Sequence, residues 1–173
     1  MGFEHAWTAA VEPRHLFEIH RDQLERFGPA LRGVAAVRRL AARQEGARLY
    51  LKHRWTGDRT VLPGLLRASP PGMFAWEDDS VWDAETLRGR WTIQAPALGS
   101  MVRIEGSHQF VERELGCEVH IEGEVVTRLV PALGGAFANR FVQDLLFGIM
   151  RDASPLLVGL ARETYNEKSP APE

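Results

Sequence analysis

Apolar and polar residues alternate along seven short segments of this chain, and a long apolar segment follows them. Alternation with a period of two is typical of a strand with one buried face. The alternating segments are residues 3–10, 34–43, 47–56, 73–83, 87–95, 101–111 and 117–130. Large apolar residues then recur with helical spacing over residues 136–163. The pattern predicts seven strands, six of them in meander order, and one long terminal helix.

Proline and glycine mark the other boundaries. Pro13 opens an apolar helical stretch that ends at Gly28-Pro29, which predicts one bent helix or two short ones after the first strand. Residues 57–71 form an insertion whose apolar residues, beginning at Val61, predict a short helix. Pro155 falls inside the terminal helix and either kinks it or starts a second segment, because the proline ring clashes with the preceding turn.

The large aromatic residues share one phase of the predicted strands. A curved sheet with rings on one face, closed by one helix, encloses space, so we predict a cavity that holds a ligand; the alternative is a core filled by the same rings. Gly106 and Gly123 lie inside strands, which predicts sharp curvature or bulges there. The rings on this face are Trp55, Trp76, Trp82, Trp91 and Phe110.

The order of elements resembles that of the START-like helix-grip (SRPBCC) superfamily, whose members include polyketide cyclases and lipid-transfer domains. The resemblance covers about residues 3–165 and includes the stretch Val125–Phe141, where a strand ends at Pro131 and a double glycine precedes an apolar helix. It implies an α+β helix-grip fold, with a curved seven-stranded antiparallel sheet wrapped around a long C-terminal helix and one or two short helices after strand 1. We expect a single domain over residues 1–168 and a disordered tail at 169–173. No set of functional residues is shared across the superfamily, so the resemblance assigns none.

The composition is that of an ordinary globular protein. Its 173 residues fit one domain, and its net charge of −2 gives no general attraction to nucleic acid or to an anionic membrane. Cys117 is the single cysteine, so neither a disulfide framework nor a multi-thiolate metal centre is expected. Because there is no secretory signal and no apolar run of about 18 residues, we expect a cytoplasmic protein without a transmembrane segment. Transient membrane contact stays open, as does the oligomeric state.

Basic residues are concentrated between residues 32 and 67, where eight arginines and Lys52 oppose only two acidic residues. Such a block is typical of a nucleic-acid-binding surface when nothing neutralises it. The following strand carries Glu77 and Asp79 on its outward phase, where Lys52 and Arg54 can pair with them across the sheet. We therefore expect a self-neutralised patch and no nucleic-acid partner.

No motif of a common hydrolase, nucleotide-binding protein or dehydrogenase is present. Candidate ligand contacts are therefore taken from the phase that carries the rings, where polar groups converge on an apolar space. The predicted ligand-binding residues are His5, His53, Trp55, Trp76, Ser80, Trp91, Ile104, His108, Ile121, Phe137, Phe141 and Leu145. His53, Asp78 and His108 are candidates for proton transfer. Three inward histidines suit a metal ion only if all reach it, so we expect no metal and no cofactor.

These features favour the binding or carrying of a hydrophobic small molecule, such as a lipid, an isoprenoid or a polyketide, between the sheet and the terminal helix. Two alternatives stay open. One is an enzyme of the cyclase or dehydratase type that uses the inward histidines and Asp78 for proton transfer. The other is a non-enzymatic interaction module with a filled core. We expect binding rather than catalysis.

Overall fold

Seven strands form one antiparallel sheet in the computed structural model, which describes residues 2–61, 71–97, 102–127 and 135–168. The strands are β1 (Gly2–Ala9), β2 (Val34–Glu45), β3 (Arg48–Gly57), β4 (Ala75–Asp83), β5 (Arg88–Gln94), β6 (Val102–Arg113) and β7 (Gly116–Thr127). The helices are α1 (Pro13–Asp22), α2 (Leu24–Phe27) and α3 (Gly135–Lys168). The sheet order is β1-β7-β6-β5-β4-β3-β2, so β1 and β2 are its edges. The predicted meander, the pair of short helices and the terminal helix are confirmed.

Helix α1 fills one end of the space between the sheet and α3. It contacts α3, β6 and β7. Leu16 and Phe17 of α1 are completely buried, as are Val119 of β7 and Ala161 of α3. Pro13 stands at the first turn of α1, where its missing N–H costs no helical hydrogen bond.

Helix α3 continues through Pro155 without interruption. A proline at this position cannot donate to the carbonyl of Arg151, one turn earlier. The hydroxyl of Ser154 donates to that carbonyl instead, with 3.2 Å between Oγ and O. The alternative of a second helical segment beginning at Pro155 is therefore wrong, because the neighbouring serine supplies the hydrogen bond that proline lacks.

The outer face of β3 and β4 carries the predicted charge pairs. The Lys52 ammonium lies 3.1 Å from a Glu77 carboxylate oxygen and 3.8 Å from one of Asp79. Arg54 lies 3.8 Å from the other oxygen of Glu77. The prediction that these cations are paired across the sheet is confirmed.

Sharp curvature or bulges are predicted at Gly106 and Gly123, and of these two alternatives the bulges are wrong. The ladders of β5 with β6 and of β6 with β7 run through both glycines in continuous register. Irregular pairing occurs instead between β2 and β3, near Val34–Ala36 and Arg39–Ala41.

Two predicted features lie outside the described residues. Arg59–Val61 form a short 3-10 turn. The sequence predicts most of a short helix over residues 62–70, which are not among the described residues. The predicted tail at residues 169–173 is outside as well.

Candidate functional site

Three large rings on the inner face of the sheet lie directly over glycines of neighbouring strands. The pairs are Trp82 over Gly89, Trp91 over Gly106, and Phe3 over Gly123. A Cβ atom at any of these glycines would lie between 2.4 and 2.8 Å from a ring atom. Because each ring takes the place of a side chain on the next strand, it lies against the sheet instead of projecting across the interior. The rings therefore form a wall, which we call the aromatic wall.

A histidine and a carboxylate are buried side by side beside this wall. His53 on β3 and Asp78 on β4 are cross-strand partners, with exposed fractions of 1% and 6%. Nδ1 of His53 lies 3.3 Å from Oδ1 of Asp78, and the indole N–H of Trp55 donates to Oδ2 over 2.5 Å. Both carboxylate oxygens thus have partners, as a buried acidic group requires.

The second ring nitrogen of His53 has no hydrogen-bond partner. When Nδ1–H donates to Asp78, Nε2 is an acceptor without a donor, and a buried group in that state costs about 1–3 kcal/mol. Nε2 is enclosed by surrounding atoms and has essentially no accessible surface. A ligand therefore does not reach it in this conformation.

Two more imidazoles, from α1 and β6, lie together among aromatic rings. The ring centroids of His20 and His108 are 4.5 Å apart. The indole N–H of Trp91 donates to Nδ1 of His108 over 2.9 Å, which places the His108 proton on Nε2. Burial lowers the pKa of His20 to about 4. Burial, together with repulsion from His20, lowers the pKa of His108 well below 6.5, so both rings are neutral at neutral pH.

Part of the inner face remains open. Trp82 and Phe110 are buried where Phe17 of α1 packs edge-on against both, at centroid distances of 5.5 and 5.6 Å. Trp76 and Trp91 face the same side of the sheet and are only half-buried. The inner face is therefore covered beside α1 and keeps some accessible surface at Trp76 and Trp91.

A recess of about 550 Å³ lies between α3, β1 and the corner that precedes β2. Small-molecule sites typically have volumes of roughly 300–1,000 Å³. Phe147 and Met150 of α3 line it, and the Phe147 ring also packs edge-on against Phe3 of the aromatic wall, with 6.2 Å between centroids. The recess thus adjoins the aromatic wall at the β1 edge of the sheet.

Charged residues surround the apolar part of this recess. Arg32, Asp144 and Arg151 line it, and His5 contributes its imidazole from β1. Nε2 of His5 is buried and has no hydrogen-bond partner. The recess therefore combines an apolar surface with polar groups that can orient a ligand.

A larger depression of about 770 Å³ lies at the outer face of β1, β5, β6 and β7. Its lining is dominated by charged and polar residues, including Arg88, Arg90, Glu105 and Glu122. Such a surface does not offer the apolar contact that a hydrophobic ligand needs.

The structure brings together only some of the predicted site residues. His53 and Trp55 meet at Asp78, Trp91 meets His108, and Ser80 accepts a hydrogen bond from the Trp82 indole over 3.1 Å. Trp76 stacks on Trp55 with 6.0 Å between centroids. The other predicted inner-face residues with described positions are His5, which lines the recess, and Ile104 and Ile121, which are buried. The side chains of Phe137, Phe141 and Leu145 lie outside the described part of α3.

His5, His53 and His108 do not form a common metal site. Across the described ranges, no three histidine, cysteine or carboxylate side chains are placed to hold one ion.

Sequence reasoning missed several residues of the recess and of the imidazole pair. Phe147 and Met150 follow the helical spacing of α3 and were detectable as an apolar face. Arg32 and His20 carried no local signal, because only the packing of their elements brings them to the interior or its rim.

Comparison with known proteins shows a shared fold. No family model and no curated protein matches the sequence. Among solved structures, a protein from Thermus thermophilus is similar over 95% of this chain and 99% of its own, with a TM-score of 0.69 and 21% identity. The Zhui aromatase/cyclase from a Streptomyces species is similar over 94% and 93%, with a TM-score of 0.65 and 14% identity. A START superfamily protein from Mycobacterium smegmatis is similar over 94% and 98%, with a TM-score of 0.58 and 12% identity.

These similarities confirm the START-like helix-grip architecture that the element order predicts. At identities of this size they show the fold and do not assign a function. Within the described segments, no helix has both the length and the apolar character required to cross a membrane.

Proposed function

We propose that this protein, which has a START-like helix-grip fold, binds a hydrophobic small molecule between its sheet and α3. The observation that carries the proposal is the recess of about 550 Å³ beside the aromatic wall, with Phe147 and Met150 on its apolar side. An aromatase/cyclase and a START superfamily protein have the same architecture, which supports the proposal without identifying a ligand. The ligand class we favour is a lipid, an isoprenoid or a polyketide.

Affinity would come mainly from burial of apolar surface. A ligand that buries about 200 Å² of apolar area gains roughly 5 kcal/mol, before the cost of immobilising it is subtracted. The rings of the aromatic wall are already held over glycines. Binding therefore requires little ordering of the protein on this side, which favours affinity.

Two glycines of α3 allow a matched test of this site. A Cβ atom at Gly148 or at Gly159 would meet no atom within 4 Å, and only Gly148 lines the recess. Replacing either glycine also favours the helix, by up to about 1 kcal/mol for a good helix former. Differences in binding between the two variants then report on the recess rather than on folding.

We expect Gly148→Phe to weaken binding of the neutral fluorescent probe N-phenylnaphthylamine by at least about tenfold, because the new ring occupies the recess. Gly159→Phe should bind the probe as the unchanged protein does. Fluorescence titration measures both, and native mass spectrometry of the purified protein tests for a co-purifying ligand. Equal probe affinity in the two variants would contradict the proposed site.

The other two hypotheses are not adopted. Proton transfer by His53 requires access to Nε2, which is enclosed in this structure. A filled core describes the α1 end but not the recess.

The single cysteine, Cys117, is unpaired and buried, which is consistent with the cytoplasmic setting that we propose.

A further inference from the structure

The recess is lined by both apolar and charged residues. Val61, Phe147 and Met150 provide apolar surface, whereas two arginines and one aspartate supply the charged groups of the lining. A ligand that fills such a site gains most if it is largely apolar and also carries a charged group. The sign of that charge depends on which of the lining groups lacks a partner.

Arg32 is the lining group that is available. It is exposed, and in the described part of the chain it makes no hydrogen bond or ion pair. Arg151 lies 3.4 Å from a carboxylate oxygen of Asp152, and Asp144 already takes part in an interaction of its own. Of the charged lining residues, the one without a partner among the described residues is therefore a cation.

The backbone that carries Arg32 is fixed on both sides. Leu31 is buried, and its N–H donates to the carbonyl of Gly28 over 3.0 Å. Gly33 has a φ of +82°, in the left-handed region that favours glycine, and its carbonyl accepts from Asp58 N–H over 2.9 Å. The Cα atom of Arg32 therefore has a defined position beside the recess.

His5 adds a second unsatisfied polar group. Its Nε2 is buried without a partner in the ring that lines the recess. Like Nε2 of His53, however, this atom has essentially no accessible surface, so a ligand does not reach it in this conformation. Arg32 is therefore the group that an acidic ligand can meet.

We propose that the ligand is an anionic amphiphile, with its acidic group at Arg32 and its apolar part against Phe147 and Met150. This inference rests on the proposed function and adds the ligand class. It predicts selection of acidic hydrophobic molecules over neutral ones of the same shape. A guanidinium pairs with a carboxylate or sulfonate through charge-assisted hydrogen bonds, which a neutral ligand cannot form.

The test compares two probes that share one apolar skeleton: N-phenylnaphthylamine, which is neutral, and anilinonaphthalenesulfonate, which carries a sulfonate. Arg32→Gln should weaken the sulfonate probe about 3- to 10-fold and change the neutral probe by less than about twofold. Arg38→Gln is the control, since it removes the same charge from an exposed position of β2 that does not line the recess. It should leave both probes unaffected. The loss caused by Arg32→Gln should also shrink as salt is raised.

The outcomes separate the two proposals. If Arg32→Gln changes both probes equally or neither of them, while Gly148→Phe still blocks binding, the anionic ligand class is wrong and the recess remains the binding site. If neither probe binds the unchanged protein, or if Gly148→Phe has no effect on either, the proposed function fails and this inference fails with it.

Discussion

Single glycines decide where the rings of the neighbouring strand lie. At Gly89, the three nearest atoms to an added Cβ all belong to Trp82, at 2.8, 2.8 and 3.1 Å. An alanine there must displace a rigid indole that is itself buried in the core. The glycines of the inner face are therefore required by the position of the rings and not by a turn.

We predict that Gly89→Ala destabilises the protein by about 1–3 kcal/mol, as measured by urea unfolding, because overpacking forces Trp82 out of its position. Gly2→Ala is the control in β1, where the nearest atom to the added Cβ is 3.8 Å away. Its effect should stay within about 0.5 kcal/mol. In the presence of Trp82→Leu, the cost of Gly89→Ala should largely disappear. An equal cost in both backgrounds would show that the indole is not the cause.

Among the elements, α3 shows how a long helix accommodates an internal proline. The helix spans Gly135–Lys168 and includes Pro155. A proline inside a helix costs about 3 kcal/mol through the lost hydrogen bond and the steric clash. The hydrogen bond from Ser154 to the Arg151 carbonyl offsets a small part of that cost.

We expect Pro155→Ala to raise the free energy of unfolding by about 1–3 kcal/mol. Ser154→Ala should lower it by about 0.5–1 kcal/mol in the unchanged protein. In the Pro155→Ala background, the serine change should have almost no effect, because the alanine N–H then bonds to Arg151. Chemical denaturation of the four proteins measures this coupling, and additive effects would disprove the compensation.

At the scale of the whole molecule, the two buried imidazoles where α1 meets the sheet make the stability of the fold depend on pH. His20 and His108 lie among rings where α1 meets the sheet. Their pKa values are lowered in the folded protein, so the unfolded chain binds more protons as pH falls below about 6.5. Stability is then lost on acidification, down to the lowered pKa.

We predict that the free energy of unfolding falls as pH decreases from about 6.5 to about 4, with a contribution of roughly 3 kcal/mol from His20. His20→Gln should flatten this dependence, because it removes the buried imidazole with the lowered pKa. Urea unfolding at several pH values measures the slope. Two carboxylates add to the loss of stability at lower pH. The pKa of Glu118 is lowered mainly by a hydrogen bond from Arg113, and that of Asp83 mainly by one from the Thr86 backbone. An unaltered slope in His20→Gln would refute the assignment.

The sequence alone determined the elements and the face that each strand buries. The alternating pattern placed His53, Asp78 and Trp55 on the inner face, and it placed Lys52, Glu77 and Asp79 on the outer face. This succeeds because alternation is a local property: successive side chains of a strand point to opposite sides, and burial selects which residues stand on each.

Only the tertiary structure decided which of these inward residues adjoin open space. The recess gathers His5 from β1, Arg32 from the corner before β2 and Phe147 from α3, three elements far apart in the chain. The packing of the whole molecule also encloses Nε2 of His53 and places the indoles of Trp82 and Trp91 over glycines. These outcomes depend on how α1 and α3 pack across the sheet and on the room that each side chain leaves for its neighbours. A period of two in the sequence carries no information about either.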